Sequence, residues 1–232
     1  FATTRWSLVL AAGGTDSQAA RPALDSLLRT YWYPLYAFVR RKGQNAEEAC
    51  DLTQEFVSRL LERNLLHDAD PGRGRFRTFL LTALERFLVN EWRREGRQKR
   101  GGGRSIVPLS ALEAEERYRF EPADTLTPEQ IYERRWAMTM IEQAMARLKE
   151  ECAAAGREEL FVAVRAILSG EDAQRPYADL AVGLGMKEGA LKTAVHRLRR
   201  RFGALLRSEI SQTVADPGEV EDEIRYLFQR LR

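Results

Sequence analysis

The chain has little cysteine or histidine: two of each in 232 residues. Cys50 and Cys152 lie far apart and match no metal-ligand spacing, which excludes a disulfide scaffold and a zinc finger. They read as free thiols of a reducing compartment. With 8 prolines and 16 glycines, collagen-like repeats and Pro/Gly-rich disorder are excluded as well. No apolar run approaches the ~20 residues that span a bilayer. The opening Phe1-Ala2-Thr3-Thr4-Arg5-Trp6 lacks the cationic start and apolar middle of a secretory signal. A cytoplasmic protein without membrane contact is the expectation.

Catalytic signatures are equally scarce. No nucleophile–base pair, glycine-rich phosphate cradle or paired-acid motif stands out, so no enzyme activity and no cofactor are expected. His67 with Asp68 and Asp70 imitates a metal site. No second ligand cluster accompanies it, and an exposed loop is the simpler reading.

What the chain does have is segregated charge. The formal net charge is only +3, from 37 basic and 34 acidic side chains. Residues 86–104 nevertheless carry seven bases against two acids, and residues 189–208 carry six bases and no acid. Between them, residues 113–129 carry six acids and two bases. Each basic run could be a solvated helix face. Two runs divided by an acidic connector point instead to two contacts on a polyanion.

Alternating β-branched segments are nearly absent, whereas apolar residues recur at helical spacing throughout, so the fold is expected to be all-α. Residues 22–41 place Leu24, Leu27, Leu28, Tyr31, Leu35 and Phe38 on one face. Pro34 should kink or split that helix. Asn45 and Glu48 form a capping box for a helix over 46–63, burying Ala49, Leu52, Phe56, Leu60 and Leu61. Its other face carries Asp51, Gln54, Glu55, Ser58 and Glu62, the ordinary solvent stripe of an amphipathic helix unless a partner covers it. Residues 67–75 read as a loop. A further helix over 76–94 turns Phe76, Phe79, Leu80, Ala83, Leu84, Phe87, Leu88 and Trp92 inward by spacing, with the phenylalanines read as packing and Trp92 open between packing and stacking.

These helices make a bundle over residues 1–100. Residues 101–130, with Gly101-Gly102-Gly103, three prolines and excess acid, read as a flexible linker. Residues 131–210 form a second helical domain, and 211–232 a C-terminal helical extension. Within the second domain, Ala181, Gly185 and Leu191 have the small–glycine–apolar spacing of a helix-turn-helix. Its second helix would point Glu188, Lys192, Thr193, His196, Arg197, Arg199 and Arg200 outward. That arrangement fits a major groove, with later arginines on phosphates. The extension has one apolar stripe: Val220, Ile224, Leu227, Phe228 and Leu231. It is either a helix packed on its own domain or a regulatory tail over a binding face.

Three ordered motifs carry a family resemblance. Residues 46–60, with Asp51-Leu52-Thr53-Gln54-Glu55, are similar to a polymerase-binding helix with an Asp-x-x-Gln-Glu core. Residues 76–94 resemble a helix that lies on a promoter −10 element, and residues 177–201 a −35-reading helix-turn-helix. The chain thus resembles a bacterial RNA polymerase sigma factor of the extracytoplasmic-function (ECF) group.

The resemblance implies a sigma region 2-like bundle and a region 4-like helix-turn-helix. It places Asp51, Gln54, Glu55, Ser58 and Glu62 on the β′ clamp helices of core RNA polymerase, and the second domain near the β flap. The loop would wall a pocket for a base flipped from melted promoter DNA. Arg73, Arg75, Arg86, Asn90, Arg93, Arg94 and Arg97 would hold bases or phosphates beside it. An anti-sigma factor or another regulator is a further candidate partner. Two alternatives stay open: a polymerase-independent helix-turn-helix regulator and, more remotely, a helical nucleic-acid enzyme.

Overall fold

The computed structural model describes residues 20–62, 75–95, 109–121, 126–169, 176–214 and 216–231. The described residues are helical apart from turns and one isolated antiparallel bridge, Arg75 with Val214. The helices, in chain order, are α1 (Ala20–Arg41), α2 (Ala46–Glu62), α3 (Phe76–Glu95), α4 (Leu109–Arg119), α5 (Pro128–Ala154), α6 (Glu158–Ser169), α7 (Tyr177–Gly183), α8 (Glu188–Ser211) and α9 (Val220–Arg230).

They fall into two compact units. The first joins residues 1–139 to residues 210–232, and the second is the continuous stretch 140–209. The C-terminal extension therefore belongs with the N-terminal bundle, not with the helix-turn-helix that precedes it.

In the first unit, helical spacing works as the sequence suggests. Tyr31, Leu35, Phe38, Phe56, Leu60, Phe76, Leu80 and Leu84 are fully buried. Each such side chain contributes about 1.5–3 kcal/mol by leaving water. Aromatic rings meet edge to face inside, with Tyr31 and Phe76 centroids 5.0 Å apart. Pro34 does not split the first helix, for α1 runs from Ala20 to Arg41 around a buried proline. The Asn45–Glu48 capping box forms: Glu48 N–H donates to Asn45 Oδ1 at 2.9 Å and Asn45 N–H to Glu48 Oε2 at 3.4 Å. Trp92, expected inside, lies on the outer edge of α3 with Val89, at 37% and 41% exposure.

Within 101–130, the structure has a packed helix where the sequence suggests loose chain. Ala114 of α4 is buried, and Glu115 accepts hydrogen bonds from Arg40 and Tyr36 of α1. Two residues further on, the Arg117 guanidinium lies over the Tyr33 ring, 4.3 Å from its centroid. A second capping box starts α5, with Thr127 N–H donating to Gln130 Oε1 at 2.9 Å and Gln130 N–H to Thr127 Oγ1 at 3.2 Å.

The buried core of the second unit includes Met140, Leu148 and Cys152 of α5, Phe161 and Val164 of α6, Leu180 and Ala181 of α7, and Leu191, Val195 and Leu198 of α8. Glycines end two of its helices. At Gly156, φ is +65°, and at Gly185 it is +62°. Each closes paired bonds back onto the helix: Arg157 N–H to the Cys152 carbonyl, and Met186 N–H to the Ala181 carbonyl at 2.9 Å.

Candidate nucleic-acid interface

Four cationic or amide side chains line the outer face of α3. Arg86, Asn90, Arg93 and Arg94 recur at three- and four-residue steps, and all are exposed. Their exposure follows from the opposite face, where Phe76, Leu80, Leu84, Phe87 and Leu88 are buried. Arg94 leans 3.6 Å from the buried carboxylate of Glu91. Exposed Val89 and Trp92 share the edge, so the surface pairs positive charge with apolar and aromatic area. Positive charge beside an exposed ring is one ingredient of single-strand binding surfaces. Arg73 and Arg97 lie outside the described residues, as do residues 67–74 of the expected loop.

Arg75 is placed differently from its neighbours. It is half-buried, and its Nη1 sits 2.9 Å from Glu223 Oε2 of α9. Arg77, two residues on, is buried and donates to both oxygens of the same carboxylate, at 2.6 and 3.4 Å. Burial works against the charged form of Arg77. The hydrogen bond and charge of Glu223 outweigh it and hold its pKa above the ordinary arginine value.

On α2, Asp51 and Ser58 are exposed, and Gln54 and Glu55 half-buried. The side chain of Glu62 is outside the described residues. Gln54 Nε2 donates to the Cys50 sulfur at 3.3 Å. Burial, and then the charge of Asp51, push the Cys50 thiol pKa up, so it is a protonated packing residue. Glu55 pairs with Arg59, which also reaches Glu91 of α3 at 2.8 Å and lies over the Phe87 ring. Arg59 thus ties the acidic stripe to the basic helix. Sequence reading passed it by, since an arginine four residues after a glutamate looks like a surface pair.

In the second unit, Gly185 lets the chain turn from α7 into α8, and Leu180 and Ala181 of α7 and Leu191 of α8 are buried. The remaining face presents Glu188, Lys192, Thr193, His196, Arg197, Arg199 and Arg200, all exposed. Some already have partners. Lys192 Nζ is 2.6 Å from Glu188 Oε1, which raises the lysine's pKa, and Thr193 Oγ1 donates to the Gly189 carbonyl at 3.0 Å. Arg199 Nη2 caps the Ile167 carbonyl of α6 at 3.4 Å. Arg201, just beyond this face, makes a two-pronged bridge to Glu151 at 2.5 and 2.7 Å. It therefore orients α8 against α5.

Among the described residues, no group of three or more His, Cys, Asp or Glu side chains could hold a metal, and no helix is long and apolar enough to cross a membrane. The geometry offers two exposed cationic helix faces, one in each unit, and an acidic stripe beside the first.

Comparison with known proteins places part of the chain in a described family. Residues 27–98 match the family described as Sigma-70 region 2. Over 199 residues the chain is 28% identical to the ECF RNA polymerase sigma factor SigE of Mycolicibacterium smegmatis, an alignment covering 86% of this chain and 67% of that protein. No solved structure matches the chain.

Proposed function

We propose, from the premise that this chain is a sigma factor of the ECF group, how its helices divide the work of transcription initiation. The chain directs core RNA polymerase to promoters; which side chains do so is our reading. The acidic stripe of α2, with Asp51, Gln54, Glu55, Ser58 and Glu62, docks on the β′ clamp helices. Opposite charges across that contact speed encounter and set register. The outer face of α3, with Arg86, Asn90, Arg93 and Arg94, holds the −10 element as its strands part, joined by Arg73, Arg75 and Arg97. The α8 face, from Glu188 to Arg200, enters the major groove at the −35 element while its unit rests near the β flap.

The observation that carries this reading is the order of parts on one chain: a region 2 match over residues 27–98 that includes an exposed basic helix, followed by a separate helix-turn-helix with an exposed basic face. Two weak DNA contacts on one polymerase gain avidity through effective concentration. Proteins of this kind lend recognition to the polymerase's own chemistry. The sequence-based division into 1–100, 101–130, 131–210 and 211–232 remains our outline of the functional parts, with α4 as a structured piece of the second. An anti-sigma factor would act by covering the α2 stripe or either basic face.

Reconstitution with bare core polymerase on a promoter library tests the reading. Transcripts that start from a shared pair of elements only when the chain is added are the expected result. A footprint by the chain alone, with no polymerase-dependent transcript, would favour the independent regulator.

A further inference from the structure

The first turn of α3 contains no acidic residue. It is instead flanked by two arginines, Arg75 just before the helix and Arg77 within it. Positive charge at the positive end of a helix dipole is unfavourable. The compensating carboxylate comes from a different part of the chain: Glu223, in the first turn of α9, is 1% exposed and engages both arginines. Around it the backbone is tied as well. Phe76 N–H donates to the Thr213 carbonyl at 3.2 Å, and the Arg77 carbonyl accepts from the Tyr132 hydroxyl at 2.9 Å. The Arg77 guanidinium lies over the rings of Tyr226 and Trp136, 4.0 and 5.2 Å from their centroids. Glu133 stands 3.5 Å from Arg77 and 2.9 Å from Arg230 of α9.

A buried ion pair gains little net stability over apolar packing of the same volume. What it does supply is direction, because a carboxylate fixes the plane and angle of a guanidinium that it meets through both oxygens. Here the fixed point is the start of the helix whose outer face carries Arg86, Asn90, Arg93 and Arg94. We propose that Glu223 is a positioning residue for promoter opening, setting the start of α3 and the aim of Arg75 from the C-terminal extension. The extension is then a working part of the −10-reading module. This rests on the function proposed above for α3.

The test uses the full chain with core polymerase on a promoter found by the library experiment. Core association is read by fluorescence anisotropy, and strand opening by 2-aminopurine placed in the melted segment. Glu223→Gln should bind core polymerase within about twofold of wild type and open the promoter on the order of tenfold more slowly. Glu223→Asp should recover part of the loss. Opening at the wild-type rate overturns the proposal, and faster opening overturns it in favour of an inhibitory latch.

If Glu223→Gln does not fold, the paired variant Arg77→Met with Glu223→Met decides, since it replaces the ion pair with apolar packing. Normal core binding with slow opening supports positioning. Normal opening makes the pair dispensable, and failure of both variants to fold makes Glu223 a folding residue; either result overturns the proposal. Wild-type protein that opens no promoter would instead refute the function reading itself.

Discussion

Arg40 of α1 and Glu115 of α4 meet side by side, Nε to Oε2 and Nη2 to Oε1, both at 2.9 Å. The Tyr36 hydroxyl donates to the same carboxylate at 2.6 Å. A charge-assisted, two-pronged bond of this kind is worth more than a single surface contact. It explains why a helix with few apolar residues stays on the bundle.

The same contact predicts a pH dependence. The hydrogen bond from Arg40, which outweighs the cost of burial, holds the Glu115 carboxyl below its ordinary pKa. A depressed folded-state pKa adds stability that is complete above the unfolded value, about 4.3, and is lost as pH falls through the folded value. Glu115→Gln should therefore cost about 1–3 kcal/mol at neutral pH. The gap between its Tm and that of wild type should begin to narrow as pH falls below about 4.3 and close below the lowered folded-state value. Thermal unfolding of both proteins across pH 3–8 checks it.

Gly185 has open space around it, with no atom within 4 Å of an added Cβ, but its φ of +62° strains any L side chain. Gly185→Ala should destabilise the second unit by about 1 kcal/mol. Gly185→Asn should cost less, because asparagine tolerates this conformation. Chemical denaturation of the three proteins gives the order. Equal midpoints would remove the turn constraint.

Charge reversal tests the α2 stripe. Asp51→Lys together with Glu55→Lys should weaken core polymerase binding by at least about tenfold, a rim-to-core electrostatic loss of ~1.4 kcal/mol or more. The circular dichroism spectrum should stay unchanged, since Asp51 is exposed and Arg59 keeps Glu91 as a partner. Undiminished binding would move the docking surface elsewhere.

On α8, Arg197 and Arg200 are exposed and proposed to touch phosphates. Alanine at either should flatten the salt dependence of promoter binding by about one unit of log–log slope. The effect should be similar across sequences. A slope unchanged in both variants would place the phosphate contacts on other side chains.

Much of the fold was legible because burial is periodic. The core of α1, α2 and α3 follows directly from apolar spacing, and the Asn45 capping box and Gly185 turn are local chemistry. Two features were hidden for the opposite reason. Glu115 and Glu223 look like solvent acids on polar helix faces, and each is fixed by an arginine distant in sequence, which no local pattern reports. The apolar stripe of α9 announced that the extension packs, but not on what. Leu227 is fully buried while Phe228, next to it, is 48% exposed. Trp92 was misplaced because one more apolar step at the end of a long periodic run looks like core. Of the candidate site, the exposed face of α8 could be read from spacing alone. The bond between Arg75 and Glu223 could not.

Closure of the first unit by residues 210–231 also orders events on the ribosome. Domains generally form from the N-terminus as synthesis proceeds. Here α1 to α4 emerge first yet still lack Val214, Glu223 and Leu227, while the helix-turn-helix needs only the uninterrupted stretch 140–209. A nascent chain whose last residues are still in the exit tunnel therefore holds a first unit that lacks its closing segment.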